Sequence, residues 1–232
     1  MPLALRTIIF SFLLFLAGGH WLLSSLFILV VFYLYFRPSL NSSQFLLSFL
    51  VLLSASLLAI NLLNNWSIAV SLLFGFLFFS LLGVKNLVFV NRQPIYYLFN
   101  NLLLLAIFIY FFWSENSRLF FIKYLLAFFA IVFLSKELLT FSIPDLLNSS
   151  KKNLIIYGTA FLIFQLLWAI TLLPISFLNA ASLALLIALI LQDFITRHFS
   201  GTMSRQIILR NITVFLILSL VIFGASRWSL TP

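Results

Sequence analysis

The chain has 232 residues, of which 64% are hydrophobic and 7% charged, with four acidic residues, a net charge of +9 and no cysteine. A soluble domain carries about a quarter charged residues, so a soluble globule is excluded and the chain is expected to be dissolved in lipid. The missing cysteines exclude disulfides, thiol catalysis and thiolate metal sites. The basic excess reads as charge flanking apolar spans and meeting anionic headgroups, not as a nucleic-acid surface.

Nine apolar runs follow in order: Leu3–Ala17, Trp21–Phe36, Gln44–Ile60, Trp66–Gly83, Ile95–Trp113, Leu119–Leu134, Asn153–Leu173, Phe177–Ile195 and Gln206–Ser226. Arg6 followed by Thr7–Ala17 has the outline of a signal peptide. Phe15 and Leu16 stand where cleavage needs a small residue, so the run is expected to remain as the first span. The breaks are turn and helix-ending signals: Gly18-Gly19-His20, Arg37-Pro38, Asn61 to Asn65, Ser114 to Ser117, and Pro174. The first two runs are short for a bilayer. The expected fold is therefore an all-α polytopic transmembrane bundle of about nine spans, or eight if those two form a hairpin that does not fully cross or one of them is not a span.

Charge gives this pattern a direction. Arg6, Arg37, Lys85, Arg92, Lys136, Lys151, Lys152, Arg197, Arg205 and Arg210 fall in alternate segments, and only Arg118, Lys123 and Arg227 fall in the others. Cytoplasmic loops carry the excess of Lys and Arg, so the amino terminus is expected in the cytoplasm and the carboxyl terminus outside. Heavy use of Phe, Leu, Ile and Asn fits an AT-rich microbial genome, and the expected location is a prokaryotic cytoplasmic membrane.

The whole of 1–232 reads as a single transmembrane domain. A subdivision is expected between 1–134, with six spans, and 153–226, with three. Residues 135–152 would join them as an inner-leaflet interfacial segment: Ser142 caps a short helix with Pro144 and Asp145 in its first turn, and Leu138, Leu139, Phe141, Ile143, Leu146 and Leu147 rest on the interface. Helices in lipid associate through close backbone approach. Ser67, Ser71 and Gly75 in the fourth span and Ala180, Ala184, Ala188 and Gln192 in the eighth form rows at four-residue spacing, with Ala55 and Ala59 a shorter pair in the third. The fourth and eighth spans are expected to be central, and the Phe-rich first, second and sixth peripheral. Trp21, Trp66, Trp113 and Trp228 suit interfacial anchors.

Signals of chemistry are few. No metal-binding, nucleophile-elbow or phosphate-loop motif occurs, and neither a metal site nor a cofactor is expected. The strongest constellation is Asp193, Arg197, His198 and Arg205, followed by Arg210 and Asn211. Asp193 and Arg197 have the spacing of a helical ion pair. Arg197, His198, Arg205 and Arg210 could hold an anionic headgroup, and Asp193 could orient His198 for proton transfer. Asn100, Asn101 and Gln165 are the polar residues within spans and the candidates for lining a polar cavity.

Three functions compete on this basis. The first is a non-enzymatic membrane subunit, or a component that handles lipid or another hydrophobic ligand. The second is a membrane-embedded enzyme acting on a phosphate-bearing lipid at the inner leaflet through Asp193, Arg197, His198 and Arg205. The third is a small-molecule transporter or permease subunit. Expected partners are membrane lipids, anionic headgroups at the cytoplasmic face and other membrane subunits.

Overall fold

The computed structural model describes residues 2–18, 21–37, 45–62, 66–113, 120–142 and 149–225. These form nine helices: α1 (Leu3–Ala17), α2 (Trp21–Phe36), α3 (Leu46–Leu62), α4 (Ser67–Lys85), α5 (Arg92–Trp113), α6 (Phe120–Ser142), α7 (Ser149–Thr171), α8 (Phe177–Phe199) and α9 (Arg205–Ala225). No strand occurs among the described residues. Among the described residues six helices, α4 to α9, are long and apolar enough to cross a membrane; α1, α2 and α3 are shorter apolar helices. With the composition, this makes the chain a helical membrane protein. His20, Trp228 and Arg227 lie outside the described residues.

Several helices run past their apolar sequence. α4 continues through Lys85 and α8 through Phe199, because a helix stops where its last carbonyls are capped rather than where its side chains turn polar. At the end of α4 the amide of Asn86 donates to Leu82 O and that of Val88 to Gly83 O, with Leu87 at φ 59°. At the end of α8 Thr202 N donates to Arg197 O, and Gly201 takes the left-handed position at φ 69°. Both are Schellman closures. Ser176 caps the start of α8 by accepting from Asn179 N.

The chain forms two compact units, 1–103 and 104–232, with the boundary inside α5. Of the expected interfacial segment, residues 135–142 continue α6 and residues 149–152 open α7, while 143–148, with Pro144 and Asp145, lie outside the described residues. Leu138 and Leu139 are buried.

In unit 1, α4 is the most enclosed span, 61% buried, and packs on α1 and α3. α1 was expected at the periphery, yet it touches α2, α3 and α4. Gly75 explains this: a Cβ there would run into Ser11 of α1, so the glycine lets the two backbones approach closely. Phe10 stacks on Phe78 beside that contact, with ring centroids 4.4 Å apart. In α3 the packing row is Ser48, Leu52, Ser56 and Ile60, all fully buried, whereas Ala55 and Ala59 are only half-buried. Ser48 also shares a 2.9 Å hydrogen bond with Tyr96 at the start of α5.

In unit 2, α8 packs on α6, α7 and α9. Its row Ala180, Ala184, Ala188 and Gln192 is buried, as the spacing predicts. α6 packs on α7, and Tyr124 meets Phe111 and Phe164 edge-on. α9 touches α8 and is only 6% buried along its span.

Candidate functional site

The turn after α8 returns the chain so that the start of α9 faces the last turns of α8. There Asp193 Oδ1 accepts from Arg197 Nε at 2.8 Å, and Oδ2 accepts from Asn211 Nδ2 at 2.7 Å. Arg210 Nη2 stands 3.9 Å from the same carboxylate. Asn211 is buried and Asp193 about one-third exposed. Oδ1 is thus engaged within α8 and Oδ2 ties α9 to α8.

The other members of this constellation stand apart. His198 is five residues beyond Asp193, roughly 140° round the helix; it is exposed, and its ring lies edge-on to Phe199. Arg205, at the first position of α9, is also exposed. The structure therefore gathers Arg197 and Arg210 around Asp193, adds Asn211, and leaves His198 and Arg205 outside that network.

Of the polar-cavity candidates, Asn100 is completely buried, and neither its Oδ1 nor its Nδ2 has a hydrogen-bond partner among the described residues. Asn101 Oδ1 is likewise buried and unpartnered. Gln165 is exposed on α7, on the side away from the buried Ile163, Leu167 and Ile170.

Unit 1 contains an arrangement that sequence reasoning missed. Arg6 and Lys85 are 6% and 5% exposed. Arg6 Nη1 donates to Arg37 O at 2.9 Å and Lys85 Nζ to Tyr35 O at 2.6 Å. Lys85 Nζ also lies 3.5 Å from the Tyr35 ring centroid. The exposed Arg37 guanidinium lies 5.3 Å from the Tyr33 ring centroid. Two cations from α1 and α4 thus close the carbonyl end of α2, where the helix dipole is negative and the last carbonyls lack helical partners. No Asp or Glu precedes Glu115, so unit 1 has no carboxylate of its own to pair with them. That acid-free stretch was the available signal: basic residues there had no side-chain counter-ion to find.

α1 and α4 also enclose an open groove of about 760 Å³, on the face of α1 turned away from Arg6. Its lining runs from Ala4 to Phe15 on α1 and from Phe79 to Ile68 on α4, with no basic side chain among the lining residues. The small Ser11 and Gly75 lie among large exposed side chains, including Ile8, Phe12, Leu72 and Phe76. Such a volume falls within the roughly 300–1,000 Å³ of small-molecule sites.

No family model, curated protein or solved structure matches the chain. A functional reading therefore rests on these side chains alone.

Proposed function

We propose that this membrane protein is a non-enzymatic, lipid-handling component, and that the α1–α4 groove holds an acyl chain whose anionic headgroup reaches the exposed Arg37 at the basic end. The groove carries this reading. A lipid-facing helix surface is ordinarily convex, whereas the close approach at Gly75 leaves a concave track along which a chain touches two helices at once. Dispersion contacts add over its length. The headgroup assignment draws on charge: residues 1–103 contain four Arg and Lys residues and no acid, so an anion is the complement that the unit itself lacks. In this reading the basic end lies at the cytoplasmic face of a prokaryotic membrane.

Asp193 supports the non-enzymatic reading, since one of its oxygens pairs with Arg197 and the other with Asn211 of α9 rather than with His198.

A photoreactive phenylalanine analogue at Phe12 or Phe76, compared with one at Phe161 or Leu220 on exposed apolar faces elsewhere, tests the proposal. After purification in mild detergent, the groove positions are expected to cross-link retained phospholipid well above the controls, phosphatidylglycerol more than phosphatidylcholine. Equal labelling at all four positions would reduce the groove to ordinary lipid-facing surface and remove the reading.

A further inference from the structure

Away from the groove, three helices of unit 2 bring polar side chains to one enclosed place. Ser135 of α6, Thr159 of α7, and Gln192 and Thr196 of α8 line a cavity of about 10 Å³, with Leu138, Leu139 and Ile195 completing the wall. Ser135 is 3% exposed and Gln192 7%. Ser135 Oγ, Gln192 Nε2 and Thr196 Oγ1 are all buried without a hydrogen-bond partner among the described residues. Three unpartnered polar atoms around one cavity would be costly in an apolar interior, and the small space at their centre offers a remedy.

We propose that this cavity is a binding site for a single ordered water molecule that joins α6, α7 and α8. The volume is close to the roughly 10–15 Å³ needed to admit one water. The hydrogen-bonding capacities also fit. Gln192 Nε2 can only donate, and water accepts from it. The Ser135 and Thr196 hydroxyls can then accept the two water protons, while Thr159, whose hydroxyl donates to Ile155 O at 2.6 Å, keeps an oxygen lone pair as an alternative acceptor. A small cation of similar size fits less well: it cannot accept from the amide, and the neighbours in sequence of Ser135 and Thr196 include Lys136 and Arg197. Gln192 and Thr196 form one four-residue row on α8, and Asp193 and Arg197 form the next. The end of α8 therefore presents one polar row to the water cavity and the adjacent one to α9.

The test uses the full chain in detergent. In ¹⁵N-labelled protein the Gln192 side-chain amide is expected to show a cross-relaxation peak to a long-lived water, and Gln192→Glu identifies the signal by its loss. Ser135→Ala and Thr196→Val are each expected to lower the unfolding midpoint, and together to lower it by less than the sum, because either change already disrupts the shared water. Absence of the water peak from the wild-type chain, or additive shifts, would overturn the proposal. So would a midpoint that rises in sodium chloride but not in choline chloride, which would assign the cavity to a cation.

Discussion

Asn211 of α9 donates a 2.7 Å hydrogen bond to Oδ2 of Asp193 in α8, while Arg197 holds Oδ1 at 2.8 Å. α9 buries little else of itself, so this contact fixes where the helix meets α8. A hydrogen bond to a charged group contributes about 1.5–3 kcal/mol when buried. With a third of the Asp193 side chain exposed, Asn211→Leu is expected to cost nearer about 1 kcal/mol. Thermal unfolding in detergent should show the loss, with faster proteolysis of the 200–204 turn. Asp193→Asn and His198→Ala should leave lipid retention unchanged; loss of that activity in a folded His198→Ala protein would favour the enzyme reading.

Lys85 occupies a different kind of site, buried and bonded to a carbonyl with no carboxylate near it in sequence. Lys85→Met keeps the volume but removes the hydrogen bond from the charged amine to Tyr35 O, and hydrogen bonds to charged groups contribute about 1.5–3 kcal/mol. Arg6→Met should behave similarly through Arg37 O. Lys85→Met is expected to lower the unfolding midpoint and Arg37→Gln to leave it nearly unchanged, because Arg37 is exposed. Under the proposed function Arg37→Gln should still reduce phosphatidylglycerol retention by several-fold, which separates headgroup binding from folding.

These two sites show what sequence can carry. The Asp193–Arg197 pair was legible because both residues lie on one helix at a spacing that settles the contact. The α8 row from Ala180 to Gln192 was legible for the same reason, its small residues marking a single face. Burial of Arg6 and Lys85 was not, since it depends on three helices meeting at the end of α2. The packing face of α3 was not legible either: the helix is apolar all round, so no polar side points away from the core. Ser48 and Ser56 face inward, and the smaller Ala55 and Ala59 do not form the packing row. Gly75 belongs to a ridge at four-residue spacing, but spacing within α4 does not name its partner on α1.

That partner sets the next expectation. Gly75→Ala places a methyl against the Ser11 hydroxyl, and overpacking of a tight contact costs about 1–3 kcal/mol. Ser11→Ala removes the oxygen that the new methyl meets, so the double variant should recover part of the loss. A double-mutant cycle on unfolding midpoints in detergent checks the coupling. Additive effects would mean that the two helices do not approach at this point.

Leu87 and Gly201 fill equivalent left-handed positions after α4 and α8. For a residue with a Cβ this conformation costs roughly 1–2 kcal/mol, partly offset in a Leu-to-Gly change by the greater freedom of glycine in the unfolded chain. Leu87 is mostly exposed, so little burial is lost. Leu87→Gly is expected to stabilise the protein by about 0.5–1 kcal/mol, and Gly201→Ala to destabilise it by about 1 kcal/mol. Denaturation of the two variants in parallel measures both signs.

The absence of cysteine makes the proposed orientation directly measurable. Single cysteines at Asn91 and Ser200 stand in connections that the basic residues assign to the cytoplasm, and cysteines at Trp66 and Leu172 stand at the opposite helix ends. All four positions are exposed. A membrane-impermeant maleimide added to intact cells is expected to label the second pair, and the first pair only after the membrane is opened. Asn91 and Ser200 are separated by four of the helices, α5 to α8, so they share a side only if an even number of those helices cross. Labelling of one but not the other in intact cells would therefore reveal an odd number of crossings between them, and the charge rule would no longer describe this chain.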